Sequence, residues 1–238
     1  QYNIRTLQKL DNLLTEIDGN LTINCQSLTS LDGLYNLKKI TGNFITWEAC
    51  ITSYEGIDKL TEIGGDFEVR LPYSLESFEG LESLETIGGN FKVIDKLALS
   101  SLSSFKGLSS LKSIGGDFEV NANSSLNSLS SFGGLESLET IGGNFRVIAE
   151  SDHSLRFLSS FKGLSGLKSI GGDFEVNAKL FCFEYLASFE GLENLETIGG
   201  NFKVIAESSF KGLNGLKSIG GDFEVNANSS LESFEGLE

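Results

Sequence analysis

The sequence is poor in proline, histidine, tryptophan and basic residues. Its 238 residues include one Pro, one His, one Trp and no Met, and 18 Lys and Arg stand against 33 Asp and Glu, a formal net charge of −15. Nucleic acid and anionic membrane surfaces are bound by clustered Lys and Arg, so this balance argues against both as partners. No apolar run reaches the roughly 18–20 residues that a membrane span needs, so membrane insertion is not expected.

The residues that carry most enzyme chemistry are scarce. His153 stands alone in the segment Ser-Asp-His-Ser, and no second His exists for a metal site or a catalytic triad. The many Gly-Gly pairs are not phosphate loops, since no Gly-Lys-Ser/Thr follows them. The sequence therefore predicts a protein that is not an enzyme and that has no metal or cofactor.

One motif, Ile-Gly-Gly-Asp/Asn-Phe-x-Val, dominates the chain. Successive copies are 21 to 29 residues apart, and Leu/Phe-x-Gly-Leu-x-x-Leu-x-x-Ile precedes them. The nine copies begin at Ile17, Ile40, Ile63, Ile87, Ile114, Ile141, Ile170, Ile198 and Ile219. A unit of this length is too short to bury its own core, so neighbours must stack. The repeats predict one domain over 1–238: a probable N-terminal cap at 1–16 and nine stacked coils at 17–238, the last half-coil incomplete.

The pattern inside the motif indicates strands. Phe67 and Val69 alternate with Asp66 and Glu68, which is the period of a half-buried strand, and the Gly-Gly pair suits a tight corner or a close backbone approach. Stacking places equivalent residues of successive repeats next to each other, so the sequence predicts two interior aromatic ladders. One comprises Phe67, Phe91, Phe118, Phe145, Phe174, Phe202 and Phe223, and the other Phe78, Phe105, Phe132, Phe161, Phe189, Phe210 and Phe234.

Two rows of outward charges alternate in sign from copy to copy. Between Phe and Val the row is Glu68, Lys92, Glu119, Arg146, Glu175, Lys203 and Glu224; two residues before the motif Ile it is Glu85, Lys112, Glu139, Lys168, Glu196 and Lys217. Parallel in-register strands lie about 4.8 Å apart, where alternating charges attract and like charges repel. The rows thus favour a mainly β, parallel, in-register solenoid. They are either a solvated face or a charged binding face.

The pattern Gly-Leu-x-x-Leu-x-x-Ile-x-Gly-x-Phe/Leu-x-Val/Ile, which covers residues 10–238, resembles the leucine-rich-repeat-like coils of receptor L domains. The resemblance implies a right-handed leucine-rich-repeat-like β-solenoid, a secreted or cell-surface location, and a binding or adhesive role. The Cys-rich modules that accompany receptor L domains are missing, and the repeats are more alike than receptor coils usually are, so hormone binding is not carried over.

Cysteines and glycosylation motifs bear on the extracellular hypothesis. Cys25 and Cys50 follow the strands of the first two coils at nearly equivalent places, which predicts a disulfide if their Cα atoms lie about 4.4–6.8 Å apart; two buried thiols are the alternative. Cys182 is expected to be a packed thiol. Asn20, Asn123 and Asn228 begin Asn-x-Ser/Thr triplets and are possible N-glycosylation sites in a eukaryotic glycoprotein.

Length variation collects between the strand Val and the next Phe. The longest loops, 148–160 and 177–188, contain residues unlike the Ser-rich loops around them: His153, Arg156, Phe157, Phe181, Phe183 and Tyr185. Insertions on one face often form the binding face of a repeat protein. These residues either fold inward as a satellite core or form a contact patch for a protein or glycan partner.

Two functions remain open from the sequence. The first is a non-enzymatic extracellular binding or adhesion module. The alternative is a structural subunit that stacks head-to-tail into an extracellular filament or surface fibre, since a solenoid that stops within a repeat would expose Phe223 and Phe234 as an assembly end. The sequence identifies neither the ligand nor the assembly state.

Overall fold

The structure is a computed structural model. It describes residues 2–3, 13–70, 74–95, 101–122, 126–149, 154–155, 157–178, 186, 188–205, 209–226, 234 and 236–237. Over these residues the chain is mainly β, with one 3-10 turn at Asp32–Leu34. No helix among them is long and apolar enough to cross a membrane.

Two parallel sheets run along the solenoid. The sheet of longer strands contains β1 (Tyr2–Asn3), β3 (Leu21–Ile23), β5 (Phe44–Trp47), β7 (Phe67–Arg70), β9 (Phe91–Asp95), β11 (Phe118–Ala122), β13 (Phe145–Ala149), β15 (Phe174–Ala178), β17 (Phe202–Ile205) and β19 (Phe223–Asn226). The sheet of two-residue strands contains β2 (Glu16–Ile17), β4 (Lys39–Ile40), β6 (Glu62–Ile63), β8 (Thr86–Ile87), β10 (Ser113–Ile114), β12 (Thr140–Ile141), β14 (Ser169–Ile170), β16 (Thr197–Ile198) and β18 (Ser218–Ile219). We call each short strand with the long strand that follows it a rung, so rung 1 is β2 and β3, and rung 9 is β18 and β19.

Equivalent residues of successive rungs pair with each other, as the repeats predict. Phe118 of β11 pairs with Phe91 on one side and Phe145 on the other, and Ile114 of β10 pairs with Ile87 and Ile141. The parallel, in-register β-solenoid is therefore confirmed. Counted as turns, however, the solenoid has about six, slightly fewer than the nine predicted coils.

Both aromatic ladders lie in the core except at their last rings, Phe223 and Phe234, which are exposed. Rings of the first ladder are 5.0–5.5 Å apart between centroids, and rings of the second are 5.3–5.7 Å apart. Phe44 extends the first ladder and Tyr54 extends the second, so both ladders begin earlier than the sequence predicts. Each buried Phe contributes about 1.5–3 kcal/mol of transfer free energy, which makes these ladders the main stabilising element.

The Gly-Gly pairs are required by close approach between rungs. A Cβ atom at Gly142 would overlap the carbonyl oxygen of Gly115, whose own Cβ would overlap Gly88. The left-handed backbone occurs instead at the Gly of Phe-x-Gly-Leu, where Gly80 has φ +96°. The expectation of a tight backbone approach was thus correct, and the reason for it is the stacking of glycine on glycine.

The Asp/Asn positions after the glycines form an internal hydrogen-bond ladder. Asn144 N donates to Asp117 Oδ1 at 2.7 Å, and Asp173 N donates to Asn144 Oδ1 at 2.7 Å, so each side chain accepts from the amide of the next rung. Asn144 Nδ2 also donates to Asp117 Oδ1 at 2.9 Å. Among the residues described, no group of three or more His, Cys, Asp or Glu could hold a metal ion.

The predicted disulfide between Cys25 and Cys50 is wrong. Both cysteines are described, and both are thiols; Cys25 Sγ lies 3.2 Å from Ser27 Oγ. The reason is register. Leu21 pairs with Phe44, so the position that corresponds to Cys25 in the next rung is Glu48, and Cys50 lies two residues further along. Glu48 lies beyond the end of β5 and has φ +51°, so Cys25 and Cys50 are not at equivalent positions of the two rungs and no disulfide joins them.

Candidate functional site

A groove runs along the outer face of the short-strand sheet. It has a volume of about 520 Å³ and crosses rungs 5 to 9, from Ser113 to Gly220. Four strand spacings of about 4.8 Å give it a length of roughly 19 Å parallel to the solenoid axis. Its direction suits a linear ligand that lies across the strands.

The floor of the groove follows from the Ser/Thr-Ile-Gly pattern. The Ile side chains point into the core, and the next residue is a glycine, which adds no side chain to the outer face. Backbone amides of these glycines are already occupied, since Gly115 N donates to Ile87 O and Gly142 N donates to Ile114 O, each at 2.8 Å. The floor is therefore smooth and offers few unsatisfied donors.

A row of hydroxyls borders this floor, one in each rung. None of the five has a hydrogen-bond partner among the described residues, in contrast to Thr41, whose Oγ1 donates to Asp18 Oδ1 at 3.0 Å. The five residues, all half-buried or exposed, are Ser113, Thr140, Ser169, Thr197 and Ser218. We call them the hydroxyl row. These hydroxyls are regularly spaced polar groups that are available to a ligand.

Charges beside the hydroxyl row neutralise each other in pairs. Lys112 Nζ lies 2.8 Å from Glu85 Oε2, and Lys168 Nζ lies 2.8 Å from Glu139 Oε2. Lys217 and Glu196 form the same contact at 2.8 Å. Lys168 lowers the pKa of Glu139, first by its hydrogen bond and then by its charge. The groove is thus bordered by ion pairs rather than by uncompensated charge of one sign.

The hydroxyl row ends where the sequence pattern changes. Thr86 still has a hydroxyl at this position in rung 4, but in rungs 1 to 3 the position is occupied by Glu16, Lys39 and Glu62, and Lys39 Nζ lies 2.9 Å from Glu62 Oε1. These larger charged side chains replace the hydroxyls near the N-terminal rungs. The groove is consequently a feature of the more regular repeats.

The aromatic loops that the sequence singles out are only partly described. His153, Arg156, Phe181, Phe183 and Tyr185 lie outside the described residues. Phe157 is 57% exposed, and the backbone before it is held at Leu155, which is buried and has φ +55°. A left-handed bulky residue is unusual, and here the Leu155 amide donates to Leu126 O at 3.1 Å. Phe157 therefore projects outward beside a well-packed turn.

The other predicted sites have the following places. Asn20 is half-buried, and its Oδ1 accepts from Asn43 N at 2.7 Å as part of the internal ladder. Asn123, Asn228 and Cys182 lie outside the described residues. Phe223 is 41% exposed and Phe234 is 57% exposed, although each stacks on the ring before it in its ladder.

At the end of the solenoid opposite to Phe223, β1 occupies the edge of the long-strand sheet. Tyr2 pairs with Leu21 and Asn3 pairs with Thr22. A second copy could not pair directly with β3 at this edge while β1 is in place.

The groove was not predicted from the sequence. Its signal was present as a Ser or Thr before each motif Ile from Thr86 onward, followed by the glycine pair. Because each residue is ordinary alone, only the stacked register shows that the hydroxyls align and that the glycines leave a continuous trough. Comparison with models of known protein families finds no match, and comparison with functionally characterised proteins finds none either.

Proposed function

We propose that this protein is a non-enzymatic extracellular binding or adhesion module that holds a neutral, extended glycan chain in the groove of the short-strand sheet. The observation that carries the proposal is the hydroxyl row: five unpartnered hydroxyls at strand spacing beside a smooth glycine floor. Sugar rings present C–H groups on their faces and hydroxyls at their edges, which matches a floor without side chains and a polar border.

Charge favours a neutral ligand. The chain carries a net charge of −15, which repels anionic polymers such as nucleic acids and uronic-acid glycans. The cations next to the groove are already paired, as Lys112 with Glu85 and Lys168 with Glu139. Neither a polyanion nor a polycation therefore finds a row of uncompensated opposite charge.

Hydrogen bonding favours a glycan over an extended peptide. Peptides bound in an extended conformation obtain much of their affinity from main-chain bonds to a free sheet edge. In the groove the glycine amides are occupied by the rung-to-rung ladder, as for Gly115 and Gly142. Side-chain hydroxyls, each both a donor and an acceptor, remain available.

The extracellular location and the receptor L-domain-like assignment are part of the same proposal. They are supported by the leucine-rich pattern and by the solenoid itself, which provides a long surface for a polymer. The alternative is a subunit of a head-to-tail fibre, which the exposure of Phe223 at the last rung favours.

The test is binding to a panel of soluble oligosaccharides, measured by isothermal titration calorimetry. We expect binding of neutral, extended hexasaccharides and no binding of uronic-acid oligosaccharides of the same length. The variant T140V/S169A/T197V removes three hydroxyls from the row, and at about 0.5–1.5 kcal/mol for each hydrogen bond it should bind at least about tenfold more weakly. The matched control is S109A/S137A, which removes exposed hydroxyls outside the groove. Equal affinity of both variants, or no binding of any neutral glycan, would contradict the proposal.

A further inference from the structure

The ion pairs of the two charge rows fall at the same rung interfaces. Between rungs 4 and 5, Lys92 Nζ lies 3.5 Å from Glu119 Oε2 and Lys112 Nζ lies 2.8 Å from Glu85 Oε2. The corresponding pairs join rungs 6 and 7, Arg146–Glu175 at 3.3 Å and Lys168–Glu139 at 2.8 Å, and rungs 8 and 9, Lys203–Glu224 at 3.7 Å and Lys217–Glu196 at 2.8 Å. The sequence predicts attraction at every interface, whereas in these rows the ion pairs occur at every second one.

The intervening interfaces are joined differently. Asn side chains there donate Nδ2 to the Asp of the preceding rung: Asn90 to Asp66 between rungs 3 and 4, Asn144 to Asp117 between rungs 5 and 6, and Asn201 to Asp173 between rungs 7 and 8. These contacts are 2.9–3.2 Å long. Two kinds of interface, ion-paired and amide-bonded, therefore alternate along the solenoid.

We infer that this alternation is a salt-sensitive conformational device, in which raised ionic strength loosens the ion-paired interfaces and leaves the amide-bonded ones closed. The ion pairs Lys112–Glu85 and Lys168–Glu139 are solvent-exposed, whereas Lys92–Glu119 and Arg146–Glu175 are half-buried. Salt screens the exposed pairs most strongly. The short amide-to-carboxylate hydrogen bonds lie closer to the backbone and depend less on long-range charge. A repeat protein can open at one interface while its neighbours stay folded, because each repeat contacts only the adjacent ones.

A third set of charges predicts how strongly salt should loosen each interface. Lys106 Nζ lies 2.6 Å from Glu79 Oε1 and adds a third ion pair between rungs 4 and 5. Lys162 Nζ lies 3.3 Å from Glu190 Oε2 and gives one ion pair to the amide-bonded interface between rungs 7 and 8. Between rungs 5 and 6 the charge contacts are weaker: Arg146 Nη1 lies 3.9 Å from Asp117 Oδ2, and Lys112 lowers the pKa of Glu139 by its charge alone, without a hydrogen bond. Salt should therefore act most on interface 4–5 and least on interface 5–6.

Glycine amides provide matched probes for this effect. Gly115, Gly142, Gly171 and Gly199 all sit in Ile-Gly-Gly, and each donates to the Ile carbonyl of the preceding rung at 2.8 Å. Because their local sequences are the same, their amide hydrogen exchange rates can be compared directly. We would measure these rates by NMR at about 20 mM and about 1 M NaCl.

Gly115 and Gly171 report ion-paired interfaces, and we expect their exchange to rise about three- to tenfold with salt. Gly142 reports the amide-bonded interface 5–6 and should change less than about twofold, with Gly199 between the two classes. Equal changes at all four glycines, or the largest change at Gly142, would overturn the inference.

The variant K92Q/K112Q removes two ion pairs from interface 4–5. At low salt it should raise the exchange of Gly115 alone and reduce its response to salt. K162Q is the matched control, since it removes one exposed Lys and should leave Gly115 unchanged. If K92Q/K112Q left Gly115 exchange at the wild-type value, the ion pairs would not hold this interface.

Discussion

Substitution N144D tests the internal Asp/Asn ladder. Asn144 lies between Asp117 and Asp173 and donates Nδ2 to Asp117 Oδ1 at 2.9 Å. The change removes this hydrogen bond, which is worth about 1 kcal/mol, and places a third carboxylate between two others at the rung spacing of about 4.8 Å. At an effective dielectric constant of about 20, each like-charge pair costs about 3 kcal/mol before solvent screening. Because the site is half-exposed, we expect N144D to lower the free energy of unfolding by about 2–4 kcal/mol at pH 7.

The pH dependence follows from the same charges. The neighbouring carboxylates should raise the pKa of the introduced carboxyl above its unfolded value of about 3.9. The folded state then binds a proton more readily than the unfolded state, so the loss of stability is present at neutral pH and shrinks as pH falls toward about 4.

Urea unfolding followed by far-UV circular dichroism, at pH 7 and at about pH 4, measures both effects. D117N is the control, because it removes a charge, keeps an Oδ1 acceptor and should change stability by less than about 1 kcal/mol. A variant N144D as stable as the wild type at pH 7, or a deficit that does not change with pH, would refute the ladder as the cause of the Asp/Asn alternation.

Three further predictions test other parts of the structure. G142A should lower the free energy of unfolding in urea by more than about 2 kcal/mol, because its Cβ meets the Gly115 carbonyl. G133A, whose Cβ has no neighbour closer than 3.3 Å, should be within about 1 kcal/mol of wild type. Similar losses in the two variants would contradict close glycine stacking. Lys106 lowers the pKa of Glu79 by its hydrogen bond and charge, so K106Q should raise that pKa in an NMR titration of the Glu79 carboxyl. An unchanged pKa would show that the ion pair is not formed in solution. Tyr54 is buried, which raises its pKa, and its hydroxyl lies 3.0 Å from Thr46 Oγ1. Y54F should therefore lower the free energy of unfolding by about 0.5–1.5 kcal/mol, and Y54F/T46V should recover part of that loss. An equal loss in both variants would exclude this hydrogen bond as the cause.

The fold was predictable because the repeat forces equivalent residues together. Phe118 and Phe145 could be placed in one ladder from the motif alone, since parallel in-register stacking is the arrangement that buries every copy in the same way. Tyr54 was missed because a Tyr replaces the Phe in the segment before Ile63, although it stacks on Phe78 as a Phe would.

Other features depend on offsets that a repeat count does not show. Cys25 and Cys50 seemed equivalent, but two residues of register separate them, and a disulfide tolerates no such shift. The charge rows were evident, yet the sequence does not say toward which neighbour Lys92 or Lys112 leans, and that direction creates the two kinds of interface. The groove exists because the glycines have no side chains. These positions form a continuous surface only when the rungs are stacked.

The most direct test of the proposed function is an NMR titration of the ¹⁵N-labelled protein with a neutral, extended hexasaccharide. The account predicts that the largest shift changes follow the groove from rung to rung, at Ser113, Thr140, Ser169 and Thr197 and at the glycines after them. Shift changes centred on Phe157 and its loop would contradict the groove as the binding site, and so would a protein that binds the sugar with no change along the hydroxyl row.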